Sequence, residues 1–312
     1  MKHLIVPFVL ILGMLASSAG GAIAQDDDKP TIVVGSKNFT EQLIVGEMVS
    51  LILEDAGFDV EQNLNLGGTA VVHQGLVSGE VDVYVEYTGT GLVAILNQPV
   101  PTAVSGGSAT PAASVPEQAY DIVAEVYPEE FNAVWLDQIG FNNTYAMVVT
   151  RETAEAYELE TISDLRNHAG DLTLGSEPEF PVREDGLPGL QDTYEFEFGN
   201  VVTMDAGLLY SAADSGEVDV ITATSTDGRI PALDMVILED DRQFFPPYYA
   251  APVINQDLLE EYPELEGLLN QLAGTIDDET MAQMNYQVDE EGAQPQDVAR
   301  TFLEEQGIIG GE

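Results

Sequence analysis

One hexapeptide, Ser-Gly-Glu-Val-Asp-Val, occurs twice in this chain, at Ser78–Val83 and at Ser215–Val220. Each copy is preceded, at a similar distance, by a short β-rich run that ends in Gly-Ser, at Ile32–Ser36 and at Leu172–Ser176. Two matches in the same order indicate that the two halves of the chain share one structural plan. The alternative is that the hexapeptide is only a common junction between a helix end and a strand, and both interpretations predict the same local structure.

That local structure is a strand, a turn, a helix and a second strand. In the first half, Asn38 is predicted to cap a helix, with Glu41 completing the capping box and Gly57 ending the helix. The β-branched run Val81–Val85 predicts the next strand, and Val218–Ala223 is its counterpart in the second half. Strands that alternate with helices favour α/β units with mainly parallel sheets.

The loops that follow the predicted strands indicate where a ligand would bind. Ligands of open α/β sheets bind at the carboxyl ends of the strands. The loops at these ends are Ser36-Lys37, Tyr87–Thr90, Ser176-Glu177 and Thr224–Thr226. We therefore expect two lobes that face each other across a cleft lined by these four loops.

Residues 1–24 are typical of a secretory signal peptide. Lys2 and His3 precede an apolar run from Leu4 to Leu15, and the small residues Ala22 and Ala24 stand before Gln25. The apolar run is too short to span a bilayer comfortably, which argues against a membrane anchor. We expect cleavage after residue 24 and an exported, periplasmic or extracytoplasmic chain that is soluble.

The remaining sequence is predicted to divide into a first lobe, a second lobe and a returning segment of the first lobe, at residues 25–138, 139–245 and 246–312. Residues 98–116 are rich in Pro, Ala, Ser, Gly and Thr, which indicates a surface insertion in the first lobe. The chain is expected to cross between the lobes at 139–145 and to return at 244–251. A helical C-terminal region would then pack on the first lobe.

Composition and charge exclude several classes of function. The 55 Asp and Glu residues against 9 Lys and Arg give a net charge of −46, which argues against nucleic-acid binding. The absence of cysteine excludes disulfides, thiol catalysis and zinc-thiolate sites. His73 and His168 have no metal-binding spacing and lie near no nucleophile motif. We therefore expect no catalytic residue, metal or cofactor.

The scarce basic residues are more informative than the acids. Lys37 and Arg183 both follow predicted strand ends, one in each half, where a pair of cations could bind a carboxylate. The alternative is an ion pair of Arg183 with a neighbouring Glu177, Glu179 or Glu184.

Tyrosines stand at the same places. Tyr87 closes a strand, Tyr145 lies at the predicted crossing and Tyr248 at the predicted return. Each aromatic face can attract a quaternary ammonium group by about 0.5 to 2 kcal/mol, although tyrosines more often serve in packing.

Seven ordered motifs carry a resemblance to a known family. They are Val34–Gln42, Glu86–Thr90, Gly140–Ala146, Asp185–Leu190, Ser225–Ile230, Phe245–Pro252 and Met284–Asp289. Through them the chain resembles the substrate-binding proteins of ABC transporters for quaternary-amine osmoprotectants of the glycine betaine, choline and carnitine type. The resemblance covers about residues 31–308 except the 98–116 insertion.

The resemblance implies a two-lobe periplasmic binding protein fold of type II, with the ligand in the cleft between the lobes. It implies that Tyr87, Tyr145 and Tyr248 form walls of a box around the ammonium group. It also implies that Lys37, Thr90 and Arg183 bind the ligand carboxylate. Asn38 is a further candidate donor at the edge of the cleft.

Partners follow from the same resemblance. A monomeric binding protein would deliver its quaternary-amine ligand to an ABC permease whose partner ATPase powers import, and no chemistry would occur on the ligand.

The chain departs from the family pattern at Thr224, where the family usually has a box tyrosine. This departure predicts a three-walled box that binds trimethylammonium more weakly or accepts a bulkier head group. Retention of Thr90, Lys37 and Arg183 ranks betaines above choline. Three alternatives remain: a receptor for another solute such as an amino acid or polyamine, a secreted hydrolase that uses paired carboxylates, and a sensor subunit.

Overall fold

The computed structural model describes residues 29–101 and 114–310, and it contains two five-stranded sheets. The strand order is β2-β1-β3-β10-β4 in one sheet and β7-β6-β8-β5-β9 in the other. We call each sheet with its helices a lobe, the first and the second respectively. The hexapeptides lead into β3 and β8, which occupy the same position in the two sheets. The two halves therefore share one plan, as the repeat predicts.

The first lobe is built from both ends of the chain. Its strands are β1 (Thr31–Gly35), β2 (Asp59–Asn63), β3 (Val83–Tyr87), β4 (Ala133–Trp135) and β10 (Ala250–Asn255). Its helices are α1 (Thr40–Asp55), α2 (Thr69–Ser78), α3 (Val115–Phe131), α8 (Gln256–Glu261), α9 (Glu264–Leu269), α10 (Asp278–Asp289) and α11 (Pro295–Glu305), with a π-helical turn at Thr90–Ile95.

The second lobe comes from the middle of the chain. Its strands are β5 (Tyr145–Val149), β6 (Thr173–Ser176), β7 (Asn200–Thr203), β8 (Val220–Thr224) and β9 (Val236–Leu238). Its helices are α4 (Arg151–Tyr157), α5 (Leu187–Tyr194), α6 (Ala206–Asp214) and α7 (Arg229–Ala232), with 3-10 turns at Ile162–Asn167, Ala169–Asp171 and Phe180–Val182.

Both sheets are mixed: four strands of each run in the same direction, in agreement with the expectation of mainly parallel sheets, and one strand runs against them. In each sheet three neighbouring strands pair in parallel, and the next strand, β10 or β5, pairs antiparallel with both of its neighbours. The reason is that β10 and β5 follow the segments that connect the lobes. They enter their sheets from the cleft side, opposite to the strands of the α/β units.

The core of each lobe lies on both faces of its sheet, because successive residues of a buried strand point to opposite faces. In β3, Val83 and Val85 pack in one apolar cluster and Tyr84 in another. In β5, Met147 and Val148 are divided in the same way between two clusters of the second lobe. The C-terminal helices α10 and α11 pack on α1 of the first lobe.

Helix α1 does not begin as the capping pattern predicts. Its N-cap position is Phe39, which is in extended conformation and makes no side-chain cap, and the backbone N–H of Asn38 donates to Gly67 O over 3.1 Å. Glu41 turns into the interior, where it accepts hydrogen bonds from distant side chains. The predicted end is close to the observed one, since Gly57 follows the C-cap residue and has a positive φ of 82°.

Two connections join the lobes, from β4 to β5 and from β9 to β10. They pair with each other through a bridge between Asn142 and Tyr249, and the N–H of Asn143 donates to Tyr248 O over 3.0 Å. Residues 138/139 and 245/246 lie within these connections. The boundaries of the lobes within each connection stay a prediction.

Other expectations fall partly or wholly outside the described residues. Signal residues 1–24 lie outside them, as do residues 102–113 of the predicted insertion. The end of that insertion is wrong, because α3 begins at Val115 with a capping box between Ser114 and Glu117. Within the two described ranges, the structure has no helix with the length and apolar character that crossing a membrane requires.

Candidate functional site

A cleft of about 670 Å³ lies between the two lobes. It is lined by loops that follow β1, β3, β6 and β8, as the rule for strand carboxyl ends predicts. The residues singled out from the sequence all line it: Lys37, Asn38, Tyr87, Thr90, Tyr145, Arg183, Thr224 and Tyr248. The fold thus brings the whole predicted set together from four strand ends and both connections, while the role of each residue stays a prediction.

Three tyrosine rings form an aromatic wall of the cleft. The rings of Tyr145 and Tyr248 meet edge to face, with centroids 5.6 Å apart and an interplanar angle of 88°. Tyr87 lies at the end of β3, and its side chain and that of Tyr248 are almost fully buried. Burial raises the pKa of all three phenols above the ordinary value of 10.0. The rings therefore stay neutral phenols, whose hydroxyl groups can act as hydrogen-bond donors.

Two of these hydroxyl groups are fixed by buried carboxylates. Tyr87 donates to Glu41 over 2.6 Å and Tyr248 donates to Asp185 over 2.8 Å. Because a ring held by packing and a charge-assisted hydrogen bond has little freedom, these faces are pre-organised.

Lys37 is paired with a buried carboxylate of the protein. Its Nζ lies 2.5 Å from Oε1 of Glu86, and the two side chains are 4% and 0% exposed. Glu86 also accepts hydrogen bonds from the Tyr84 hydroxyl and the Tyr87 backbone. The ammonium group lies 5.1 Å from the centroid of the Tyr87 ring. Since an ammonium group has three donors, pairing with Glu86 leaves donors for a ligand.

Arg183 is held by Asp185 in a two-pronged ion pair. Its Nε and Nη2 donate to the two carboxylate oxygens over 2.8 and 2.5 Å, and Nη2 also donates to Thr90 over 3.3 Å. Nη1 lies 3.6 Å from Glu179, so the alternative interpretation, an ion pair with a neighbouring glutamate, is also observed. The guanidinium is anchored by protein acids, and Nη1 is the edge left for a further acceptor.

Thr224 lies directly beside Tyr145. The two residues are paired across the antiparallel strands β8 and β5, so their side chains project from the same face of the sheet. Both are half-buried and line the cleft. Asn38 lines the cleft too, at the loop after β1.

The charged residues of the cleft lining are mainly acidic. Three bases are Lys37, Arg183 and Arg229, and six acids are Glu41, Glu177, Glu179, Asp205, Asp227 and Asp289. Burial raises the pKa of Glu41, Glu177 and Asp289 and so lessens this imbalance. The field of the cleft therefore favours a ligand that carries a positive group.

The buried carboxylates Glu41, Glu86 and Asp185 belong to the site but not to the set of binding residues predicted from the sequence. Each fixes one or two of the predicted binding residues, yet among 55 acids none is distinguished by its type alone. A signal was available, because all three lie inside motifs that carry the family resemblance.

Several hydrogen bonds cross the cleft and join the lobes. Besides the bond from Arg183 to Thr90, the backbone N–H of Thr69 donates to Glu179 Oε1 over 2.9 Å. A Cβ atom at Gly68 would lie only 1.7 Å from that oxygen, so a side chain at this position would displace the end of the Glu179 side chain. The structure is a closed arrangement of the two lobes. Among residues 29–101 and 114–310, no group of His, Cys, Asp and Glu could hold a metal ion.

Comparison with known proteins agrees with this architecture. A family model described as the substrate binding domain of ABC-type glycine betaine transport system matches residues 30–305. The carnitine transport binding protein OpuCC of Listeria monocytogenes serotype 1/2a (strain 10403S) is 37% identical over 287 residues, which cover 91% of this chain and 89% of that protein.

Two further relatives extend the comparison. The ergothioneine transport permease/ergothioneine binding protein EgtU of Helicobacter pylori (strain G27) is 36% identical over 302 residues. The match covers 96% of this chain and 52% of that protein, so this chain spans about half the length of EgtU. A crystal structure of a glycine betaine/carnitine/choline ABC transporter is 35% identical, with a TM-score of 0.70 over 89% of this chain and 100% of that one. The chain therefore belongs to the family of substrate-binding domains of ABC-type glycine betaine transport systems, and its two mixed sheets form the two-lobe α/β fold of type II periplasmic binding proteins.

Proposed function

We propose that this chain captures a betaine-like quaternary-ammonium solute in the cleft and delivers it to an ABC permease for osmoprotection. The observation that carries the proposal is the convergence of Tyr87, Tyr145 and Tyr248 on one cleft that also holds a cation from each lobe. Aromatic faces recognise the trimethylammonium end, and Lys37 and Arg183 recognise the carboxylate end.

The carboxylate assignment depends on donors that the protein leaves unused. Glu86 takes one donor of Lys37, and Asp185 with Thr90 takes the Nε and Nη2 donors of Arg183. The remaining ammonium donors and the Nη1 edge supply charge-assisted hydrogen bonds to a small carboxylate, with Thr90 as a neighbouring hydroxyl. Asn38 adds a donor at the cleft edge.

The acidic lining favours a second candidate ligand, a choline-like cation without a carboxylate. The size of the cleft and the absence of a ring at Thr224 also leave room for ligands bulkier than glycine betaine. The Helicobacter pylori relative is named for ergothioneine, which is a related quaternary amine. Ergothioneine therefore belongs in the test beside the smaller betaines.

The wider biological role is part of the proposal. We infer an exported monomer that works with a permease and its ATPase and that returns its ligand chemically unchanged. Recovery of intact ligand after denaturation of the complex separates this role from a hydrolase. Uptake of labelled ligand through the permease, compared with signalling by a receptor complex, separates transport from sensing.

The experiment that tests the proposed function is a calorimetric panel. It compares glycine betaine, proline betaine, carnitine, ergothioneine, choline, ectoine, a polyamine and an amino acid, with Trp135 fluorescence as a second readout. We expect at least one zwitterionic betaine to bind more tightly than choline. Preference for the polyamine or the amino acid would refute the proposal, and preference for choline would support the second candidate.

A further inference from the structure

Two of the ordered motifs meet at a place that the tyrosine box does not account for. The turn after β8, Thr226–Arg229 of the second lobe, packs on α10 of the first lobe beside Asn285 and Asp289. A Cβ atom at Gly228 would lie 2.5 Å from Ala282 O and 2.6 Å from Tyr286 Cβ, so the turn approaches the helix as closely as glycine allows. We call this contact between Thr226–Arg229 and α10 the latch.

Glu41 lies buried at the centre of the latch. Its Oε1 accepts hydrogen bonds from the hydroxyl of Tyr87 and from Nδ2 of Asn143, both over 2.6 Å. Its Oε2 accepts from the hydroxyl of Thr226 over 2.6 Å and from Nδ2 of Asn285 over 3.2 Å. The Glu41 carboxylate thus accepts hydrogen bonds from four parts of the molecule: a box tyrosine, an inter-lobe connection, the turn of the second lobe and helix α10.

Glu41 and its hydrogen-bond partners in the latch are buried, so the loss of one partner would destabilise their arrangement. Glu41 is 2% exposed, Thr226 is 0% exposed and Asn285 is 5% exposed. Burial raises the pKa of Glu41, and its four hydrogen-bond donors act in the opposite direction. A buried carboxylate that loses a donor leaves an acceptor unsatisfied away from water, which costs more than the loss of an exposed hydrogen bond.

Arg229 extends the latch along α10. It forms a two-pronged ion pair with Asp227 of its own turn and lies 3.6 Å from Asp289. Asp289 in turn accepts from the Thr40 hydroxyl over 2.5 Å, one residue before Glu41. The second lobe therefore meets the N-terminus of α1 through two neighbouring acids, Glu41 and Asp289.

We propose that Glu41 is a positioning residue that couples the tyrosine box to closure of the lobes. In the closed protein, Oε1 of Glu41 accepts the hydrogen bond that orients Tyr87 in the box, and Oε2 accepts a hydrogen bond from Thr226 of the opposite lobe. Opening the cleft at the latch breaks the hydrogen bond between Thr226 and Glu41. A ligand that fixes Tyr87 also fixes the Glu41 carboxylate, in the position from which it accepts the hydrogen bond of Thr226. The inference rests on the proposed function for the ligand, whereas the latch itself belongs to the fold.

The test replaces the hydroxyl of Thr226, which donates to Glu41 across the two lobes. Thr226→Val removes the donor with little change of shape, and Thr226→Ser is the matched control because it keeps the hydroxyl. A hydrogen bond to a charged group has the strength to change affinity by about 10- to 100-fold. We expect Thr226→Val to weaken betaine binding by about that factor and to speed ligand release, while Thr226→Ser binds like the parent.

Closure is measured directly in the same variants. The chain contains no cysteine, so Val77→Cys with Asp214→Cys places one dye at the far end of α2 and one at the far end of α6. Single-molecule energy transfer between the dyes should show a smaller closed population for Thr226→Val than for Thr226→Ser, with and without ligand. The unfolding temperature of the ligand-free protein should not change, because in the open form water satisfies Thr226.

The possible results distinguish an effect of the latch on closure from a loss of folding stability and from an error in the proposed ligand. Equal closed populations in the two variants, or a loss of ligand-free stability that matches the loss of affinity, would overturn the proposal. Glu41→Gln should reduce the closed population further than Thr226→Val does. If the Glu41→Gln protein does not fold, the comparison of Thr226→Val with Thr226→Ser still tests the proposal. If no betaine binds, the proposed function fails, and the ligand-free closed populations still decide on the latch.

Discussion

Replacing Thr224 by tyrosine would add a fourth ring to the aromatic wall. Thr224 pairs with Tyr145 across the strands β8 and β5, and both side chains are half-buried on the face that lines the cleft. A ring at this position would stand beside Tyr145, in the cleft that Tyr87 and Tyr248 also line. The variant therefore tests whether the affinity for a quaternary ammonium group increases with the number of aromatic rings in the wall.

The expected gain follows from the strength of one cation–π contact. A ring face contributes about 0.5 to 2 kcal/mol toward a quaternary ammonium group, depending on how far water is excluded. Because about 1.4 kcal/mol corresponds to a tenfold change in affinity, glycine betaine should bind about 2- to 30-fold more tightly. The half-buried position of Thr224 favours the middle of that range, and the cleft of about 670 Å³ has space for the ring.

Calorimetric titration with glycine betaine measures the change, with two matched variants. Thr224→Phe adds the ring without the hydroxyl and should recover most of the gain, while Thr224→Val keeps the size of the native side chain and should recover none. Bulky ligands should lose affinity in the tyrosine variant because the added ring occupies their space. Unchanged or weaker binding of glycine betaine in a folded Thr224→Tyr protein would refute this description of the box.

Four further predictions concern the same site and the charge of the whole chain. Tyr87→Leu with Tyr248→Leu keeps apolar volume but removes two ring faces, so calorimetry should show more than about a tenfold loss of betaine affinity; retention of affinity would exclude these rings. Arg183→Lys loses the two-pronged pair with Asp185, so carnitine affinity should fall about tenfold while choline affinity changes little; equal losses for both ligands would contradict the carboxylate role. Burial raises the pKa of all three box tyrosines above 10.0, so the neutral phenols persist and affinity should stay constant between about pH 7 and pH 10; a fall in affinity together with tyrosinate absorbance would contradict it. The net charge of −46 predicts self-repulsion that salt screens, so the unfolding temperature should rise between about 0.1 M and 2 M salt, and a lower value in high salt would contradict this account.

The sequence was sufficient to predict those parts of the site that depend on local order along the chain. Lys37, Tyr87 and Thr224 each stand at the end of a strand or within two residues after it. Because the carboxyl ends of parallel strands meet at one edge of a sheet, their convergence follows from the strand pattern alone. The repeated hexapeptide marks β3 and β8 for the same reason, since a strand that recurs with its preceding helix recurs at the same place in each sheet.

Features that depend on distant parts of the chain were not predictable in this way. The capping box at Asn38 and Glu41 fits local rules, but Glu41 instead binds Thr226 and Asn285, which are 185 and 244 residues away. Four long-range donors in a buried site outweigh one backbone N–H at an exposed helix end. Likewise, β10 is antiparallel because it enters the first sheet only after the chain has passed through the second lobe.

The most direct measurement of the central claim compares glycine betaine with tert-butylacetate, its carbon isostere without the positive charge. Shape, methyl groups and carboxylate are the same in both ligands, so only attraction to the cation by the tyrosine faces and the acidic lining differs. We predict calorimetric binding of glycine betaine and no measurable binding of tert-butylacetate at the same concentrations. Similar affinities for the two ligands would contradict recognition of a quaternary ammonium group in this cleft.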